Sequence, residues 1–284
     1  MKYFWALFFI FWPIVAIVCC WIAPSQGWWF PGAPEGKMGG RIEDLFNLIY
    51  VITTITFVGT QVGLGFVLLK AAMKDQTQKA WYSHGSHSLE VIWTIVPSGI
   101  LLFIALYQLD TWRDFRIQSA APDQVQNNPI AVVTARQFEW RIRYPEPGRV
   151  FKNKAEVDQW VRNPEPGDLY SVNELHVTVG EMVKIYLRSE DVQHSFFVPR
   201  LRIKQDAVPG MAIPIWFETT QMGERELLCA ELCGWGHYKM KARIIAETDE
   251  EHHSFLKRLQ QEQSYDGVTK LLLATPSSHK KNNH

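Results

Sequence analysis

Hydrophobic residues are concentrated in the first 110 positions, where they form three long runs that contain no charged residue. The runs cover residues 4–23, 45–69 and 91–109. A membrane-spanning helix needs about 20 mostly apolar residues, whereas buried helices of soluble proteins are usually shorter and amphipathic. The second and third runs therefore predict a transmembrane helical hairpin within residues 44–115.

The first run permits two interpretations, a retained helix or a signal sequence. It is longer than the roughly 7–15 apolar residues of a signal peptide, and it contains Pro13. Pro24 makes the end of the run a poor cleavage site, and Val18 stands where a lipid-attached Cys19 would need a small residue. We expect residues 1–43 to hold a retained apolar helix and an outer loop, with a signal sequence as the alternative.

Basic residues predict the orientation in the membrane. Lys70, Lys74 and Lys79 follow the second run, and loops rich in lysine and arginine stay on the cytoplasmic side. The third run then leads the chain to the outer face after Asp110. With 29 basic and 29 acidic residues the net charge is zero, which gives no general attraction to nucleic acid. We expect a multi-pass protein of the cytoplasmic membrane with an outer domain.

Beyond residue 110 the pattern changes to short stretches that are β-branched or that alternate between apolar and polar residues. Several such stretches, separated by turn residues, predict an all-β sandwich or barrel within residues 116–250. The predicted strands are residues 130–134, 175–179, 183–187, 214–218 and 242–246.

Three polar segments lie around these strands. Residues 111–128 suggest a linker, and residues 144–170, which contain Pro-Glu-Pro-Gly twice, suggest a surface excursion. Residues 251–284 predict a polar tail with a short helix and a frayed end.

Two of the four cysteines lie in the segment CAELCGWGHYKM, residues 229–240. Outside the membrane, two nearby cysteines ordinarily form a disulfide. Here Cys229 and Cys233 are accompanied by His237 and Met240, and a mixture of thiolate, imidazole and thioether suits copper. Zinc would rarely use methionine, an iron–sulfur cluster needs more thiolates, and a c-type haem needs Cys-x-x-Cys-His. Copper is the metal that this segment favours.

A single copper site usually takes one cysteine, two histidines and a distant methionine. The segment has one cysteine too many for such a site, and two thiolates can bridge two metal ions. A second histidine is then needed, and His194 supplies it from the loop 191–199, just after the predicted strand 183–187. In a β-sandwich this loop can lie beside a loop from a later strand, so the residues predict a metal site built from two loops.

The pattern Cys-x-Glu-x-Cys-x-x-x-His-x-x-Met, with Asp-Val-x-His-Ser upstream, resembles the binuclear copper A site of cytochrome c oxidase subunit II. The resemblance extends to residues 172–176, Gly180, residues 204–210 and the start of the third apolar run at residues 89–97. It spans most of residues 45–250, and it implies a cupredoxin-like Greek-key sandwich behind the membrane hairpin.

The same resemblance implies a role for each ligand. Cys229 and Cys233 would bridge both copper ions, and His194 and Met240 would complete the coordination of one of them. The cysteines would then act as metal bridges and would not cross-link the chain.

The other copper would be completed by His237 and the backbone carbonyl of Glu231. The Glu231 carboxylate would then face the neighbouring subunit I, where the family holds a magnesium ion. A rigid β scaffold would keep all ligands in place, so that electron transfer needs little reorganisation.

Two further sets of residues match family features. Glu90, three residues before Trp93, matches a carboxylate near a proton path into the catalytic subunit, although the helix dipole alone would favour an acid there. Glu190, Asp191 and Asp206 could form an acidic docking face for a basic cytochrome, or they could be ordinary surface carboxylates.

One position departs from the family pattern. Phe138 stands where the family has the tryptophan that receives electrons from cytochrome c, and Trp140 matches the second tryptophan of that aromatic run. Our hypothesis is that Trp140, or Trp235 inside the copper loop, takes over the reception of electrons.

The resemblance implies an electron-accepting subunit of a bacterial haem–copper cytochrome c oxidase. It would pass electrons from a c-type cytochrome to haem in subunit I, where oxygen is reduced to water with proton translocation. Neither run of the hairpin contains histidine, so this chain is not expected to hold haem or reduce oxygen itself. A nitric oxide reductase subunit and a membrane-tethered copper carrier are the alternatives, whereas a quinol oxidase subunit would lack the ligand set.

Overall fold

The computed structural model of the protein describes residues 3–23, 25–28, 32–74, 82, 84–117 and 123–265. Lys79, which entered the orientation argument, lies outside these residues, as does the tail beyond residue 265. The described chain divides into two compact units, one made of residues 1–32 and 41–112 and the other of residues 33–40 and 113–284. The predicted domain boundaries are not tested by this division and stay predictions.

The first unit is built from three apolar helices, each long enough to cross a membrane. They are α1 (Phe4–Ile22), α2 (Gly36–Met73) and α3 (His87–Tyr107). The helix α2 begins earlier than the hydrophobic run, because polar residues form its first turns. A Cβ atom on Gly65 of α2 would lie 3.0 Å from the backbone oxygen of Ala6, so glycine permits close approach of α1.

After α3, the described part of the chain forms ten strands and four shorter α-helices. The strands are β1 (Ala131–Arg136), β2 (Glu139–Tyr144), β3 (Leu169–Val172), β4 (Glu174–Thr178), β5 (Met182–Ser189), β6 (His194–Val198), β7 (Ile203–Ala207), β8 (Ile213–Glu218), β9 (Gly223–Cys229) and β10 (Lys241–Glu247). The helices are α4 (Leu109–Arg116), α5 (Asp123–Gln126), α6 (Lys154–Arg162) and α7 (Asp249–Tyr265).

The strands form two five-stranded sheets, in the orders β3-β2-β1-β5-β8 and β4-β10-β9-β6-β7. Alternate residues of each strand point inward, so Val133, Ile185 and Ile244 are fully buried in one core shared by both sheets. The parallel pairs β1–β5 and β4–β10 require the chain to cross between sheets. The prediction of an all-β, cupredoxin-like Greek-key sandwich that follows the apolar helices in the chain is confirmed.

Several local predictions need correction. The predicted linker at residues 111–128 contains the end of α4 and the whole of α5. The excursion between β2 and β3 includes α6, which buries Trp160 completely because its apolar face lies against the sheet. The short helix expected after residue 250 is present as α7, and Phe255 anchors it to the core.

Candidate metal centre

Strand pairing brings His194 beside Cys229. The strands β6 and β9 are antiparallel neighbours in which Phe196 pairs with Cys229, and Ala230 N donates to Ser195 O at 3.0 Å. As a result His194 Nδ1 lies 3.9 Å from Cys229 Sγ. His194 is therefore the first residue of a strand and not part of a loop as predicted, because its backbone pairs with Ala207 of β7.

The segment after β9 folds back into a compact loop whose ends meet. Cys229 N donates to Met240 O at 3.1 Å, so the loop begins and ends at one pair of residues. A 3-10 turn over His237–Lys239 closes it. This turn places His237 Nδ1 at 3.6 Å and Met240 Sδ at 3.8 Å from Cys233 Sγ.

The two cysteines are free thiols. Their Sγ atoms lie 3.8 Å apart, far beyond the roughly 2.05 Å of a disulfide bond. The separation is within the ~4.6 Å that two metal–sulfur bonds of about 2.3 Å can span, so both sulfurs can reach the same ion. The carbonyl oxygen of Glu231 lies 3.2 Å from Cys229 Sγ, on the same cluster of donor atoms.

Asp191 orients the ring of His194. Its Oδ1 lies 2.8 Å from His194 Nε2, and a proton held on Nε2 leaves the Nδ1 lone pair facing Cys229. Burial raises the pKa of Asp191, but the bonds from His194 and from the backbone N–H groups of Gln137 and Val192 outweigh it. The net pKa is below the ordinary value, so the carboxylate that holds His194 is ionised.

The thiol of Cys233 is unusually hard to ionise. Burial, followed by the charge of the neighbouring Cys229, raises the pKa of Cys233 to about 12. A bound cation supplies the positive charge that stabilises two adjacent thiolates. The donor set of two sulfurs from cysteine, one thioether, two imidazoles and a carbonyl is soft, and it fits copper.

The turn between β1 and β2 supports the loop from outside the cluster, a contribution that sequence reasoning missed. Gln137 Nε2 donates to Cys233 O at 2.6 Å. The Phe138 ring lies against glycine backbone, since a Cβ atom on Gly236 would be 2.5 Å from Phe138 Cδ2. Gly234 has φ +132°, a conformation that only glycine adopts easily. The two glycines at positions 234 and 236 were the sequence signal that another part of the chain packs closely against this loop.

The aromatic candidates for electron reception differ in exposure. Trp140 is fully buried, with its ring 6.4 Å from that of His194. It therefore offers no surface of its own to a docked donor, and its role in electron reception stays a prediction. Trp235 is 79 % exposed, and its ring lies edge-on to Phe138 with centroids 5.0 Å apart. These two residues form a continuous aromatic contact from the surface to the loop.

The remaining candidates are carboxylates that are exposed or half-buried. Glu90 is exposed in the first turn of α3, whose N-cap is Ser86. Glu190 lies 4.0 Å from Arg136, and Asp206 lies 3.2 Å from Lys204. The proton-path role and the acidic docking face stay predictions.

Comparisons with known proteins agree with the two-part organisation. Residues 130–248 match the family profile "Cytochrome C oxidase subunit II, periplasmic domain", and residues 24–111 match "Cytochrome C oxidase subunit II, transmembrane domain". The alternative cytochrome c oxidase subunit 2 of Bradyrhizobium diazoefficiens is 30% identical over 262 residues, covering 86% of this chain and 87% of the relative.

Two further relatives are more distant in sequence. Cytochrome c oxidase subunit 2 of Thermostichus vulcanus is 24% identical over 275 residues, covering 87% of this chain and 83% of the relative. The crystal structure of the periplasmic domain of subunit II of cytochrome oxidase from Bradyrhizobium japonicum is 22% identical, with a TM-score of 0.39. It covers 48% of this chain and 96% of that domain.

Proposed function

Because the chain belongs to the cytochrome c oxidase subunit II family, we propose that it is the electron-accepting subunit of a membrane-bound haem–copper oxidase. It receives single electrons from a c-type cytochrome at a binuclear copper A centre on the outer face. It passes them to haem in subunit I, where oxygen is reduced to water and protons are translocated.

The observation that carries this proposal is a cluster of six donor atoms in which each atom contacts the sulfur of Cys229 or Cys233. The sulfur, imidazole and carbonyl contacts within the cluster all fall between 3.2 and 3.9 Å. The metal-holding residues are His194, Cys229, Glu231, Cys233, His237 and Met240. Two bridged copper ions would share one unpaired electron, so reduction would change the bond lengths little.

The protein holds these donor atoms in fixed positions and shields them from water. His194 is held by its strand backbone and by Asp191, and the loop is held by Gln137 through Cys233 O. Cys233 and Met240 are 3% and 1% exposed, which excludes water from one side of the cluster. A site positioned in this way on a β scaffold does not need to rearrange when it changes charge.

This burial also weighs against the copper-carrier alternative. A delivery protein needs an exchangeable metal with open coordination, whereas His194 and Met240 are almost inaccessible here. The buried donors favour a permanent electron-transfer centre.

Our proposal includes the bilayer and subunit I as partners of the chain. The helices α1, α2 and α3 are long and apolar enough to cross a membrane, and we propose that this membrane is the bacterial cytoplasmic membrane, with the sandwich on its outer face. The carbonyl of Glu231 faces the sulfur cluster, which leaves its carboxylate to share a magnesium ion with subunit I. Glu90 is assigned to a proton path into subunit I.

The decisive experiment loads the full-length chain with copper and records its paramagnetic resonance spectrum together with its metal content. We expect hyperfine splitting from two equivalent copper nuclei. The variant C229S/C233S should lose the signal, and the matched variant C19S/C20S, which removes the other two cysteines, should keep it. A spectrum typical of one isolated copper ion would overturn the binuclear assignment.

A further inference from the structure

The excursion between β2 and β3 is a closed, ordered element. Each Pro-Glu-Pro-Gly sequence forms a tight turn, with Arg149 N donating to Glu146 O at 3.0 Å and Asp168 N donating to Glu165 O at 3.1 Å. The two turns are joined because Arg149 Nη2 donates to Glu165 Oε1 at 3.0 Å. The repeated motif therefore clamps the two ends of the excursion together.

The helix α6 is fixed firmly over the outer face of the first sheet. Trp160 and Val157 are fully buried against Val132 and Tyr186. Below the helix, Arg143 donates to Asp168 at 2.6 Å and to Trp160 O at 2.7 Å. The Asp168 carboxylate is thus already neutralised by Arg143.

A cavity of about 420 Å³ opens beside α6, and its charged lining is mostly basic. Lys154 and Arg162 enter it from α6 and Arg188 from β5, whereas Asp158 is its single acidic residue. Among the described residues, none of these four side chains forms an ion pair within 4.0 Å. Arg188 makes one hydrogen bond, from Nη1 to Val161 O at 2.9 Å, so its charge is not neutralised.

Basic side chains of β5, which lie beneath α6, add to the excess of positive charge at the cavity. Burial, and then the neighbouring charge of Arg143, hold the pKa of Arg188 below its ordinary value. Lys184 is fully buried on the same face of β5, and its Nζ donates only to the neutral carbonyl of Gln126 at 2.7 Å. Burial, and then the charge of Lys154, hold the pKa of Lys184 below its ordinary value although the charge of Asp158 acts in the opposite direction. An anion bound nearby would relieve the cost of burying this cation.

We propose that this cavity binds a small phosphate monoester. Three basic side chains against one acid leave an excess that matches a doubly negative group, and arginine recognises phosphate through paired N–H donors. The volume lies within the range of roughly 300–1,000 Å³ that is typical of small-molecule sites. Tyr186, Met211 and Pro214 supply an apolar wall for the organic part of the ligand. The site is independent of the metal centre.

Calorimetry on the full-length chain in neutral detergent tests the proposal, with inorganic phosphate and glycerol 3-phosphate as probes. Lys154 and Arg162 are exposed, so K154E/R162E should fold normally. We expect this variant to bind glycerol 3-phosphate at least about ten-fold more weakly. The matched control K257E/R258E reverses two exposed charges on α7 and should bind as the unaltered chain does.

Reconstitution distinguishes a free ligand from a lipid headgroup. Glycerol 3-phosphate is titrated into the chain in nanodiscs of phosphatidylcholine, with or without phosphatidic acid, whose headgroup is a phosphate monoester. Retained binding in both lipids indicates a free phosphate monoester, and competition by phosphatidic acid identifies a lipid headgroup as the source of the same phosphate chemistry. Absence of binding at millimolar probe, or equal binding by K154E/R162E, would overturn the proposal.

Discussion

Glu35 and Arg225 form a buried, two-bond ion pair between positions separated by 190 residues. Arg225 Nε and Nη2 donate to the two carboxylate oxygens at 2.8 and 2.5 Å, and both side chains are nearly inaccessible. The backbone N–H groups of Thr220 and Gln221 donate to the same carboxylate. This pair fixes the residue before α2 to the sandwich.

We predict that E35A lowers the free energy of unfolding by about 3–5 kcal/mol, because Arg225 would remain buried without a counter-charge. Urea titration followed by tryptophan fluorescence measures the change. The control E226A breaks the exposed pair with Lys241, 2.9 Å long, and should cost less than about 1 kcal/mol. Equal losses for the two variants would contradict a specific role of burial.

Asp191 should control the copper affinity through His194. The variant D191N can no longer accept both the His194 and the Gln137 N–H bonds, so we expect about a 10- to 100-fold loss of affinity. Competition with a copper chelator measures it. The control D206N alters a nearby acid that pairs with Lys204, and its affinity should not change. Similar losses in both variants would mean that negative charge near the site, and not the orientation of the His194 ring, controls the copper affinity.

Gly236 should be intolerant of a methyl group because of Phe138. The new Cβ would lie 2.5 Å from the ring, and overpacking of this kind costs about 1–3 kcal/mol. We predict that G236A lowers both the melting temperature and the copper affinity. The double variant G236A/F138A should recover part of each loss, since the clash is removed. Failure of this rescue would mean that the loop backbone itself requires glycine.

Trp235 should carry electron reception from the donor cytochrome. We predict that W235L slows reduction of the copper-loaded oxidase by reduced cytochrome c by at least about ten-fold, with an unchanged copper spectrum. The control Y238L removes another aromatic residue of the same loop, 69% exposed, and should act much more weakly. An unchanged rate in W235L would exclude this residue as the receiving group.

His252 should make the attachment of α7 sensitive to acid. Burial lowers its pKa below 6.5, although the carboxylate of Glu247, 3.3 Å away, acts in the opposite direction. Because the folded-state pKa is depressed, the stabilisation is complete above pH 6.5 and decreases as the pH falls below that value. The charged and titratable neighbours are His176, which shares Glu247, and the exposed His253.

Hydrogen exchange of the α7 amides at pH 7.5 and 5.5 tests this dependence. Relative to the intrinsic exchange rate at each pH, the protection factors of the α7 amides should be lower at pH 5.5 than at pH 7.5 in the natural chain, and H252Q should reduce the difference. H253Q alters a side chain that is 65% exposed and should leave it intact. An unchanged pH dependence in H252Q would assign the effect to another group.

Features that depend on local composition were predictable from the sequence. The helices α1, α2 and α3 followed from uncharged runs, because a lipid environment demands continuous apolar surface. The metal loop was predictable because Cys229, Cys233, His237 and Met240 lie close together in the chain, and soft ligands are chemically distinctive. Even His194 could be chosen, although its place in a strand could not.

Contacts between residues that are far apart in the sequence could not be predicted from local composition. Nothing in the local sequence links Glu35 to Arg225, or Gln137 to the carbonyl of Cys233, because these contacts arise only when the strands assemble. The burial of Trp140 depended on knowing which face of β2 points inward. Polar composition likewise concealed the helix α6, whose burial rests on a few well-spaced apolar residues.

The clamped excursion begins and ends at two residues that are paired with each other. Tyr144 and Leu169, which flank it, are direct partners in the antiparallel pair β2–β3. A short turn could therefore replace all of residues 145–168 without shifting the register of either strand. The length of this segment is therefore not set by the pairing of the strands that flank it, and the fold can accommodate a longer or shorter connection at this position.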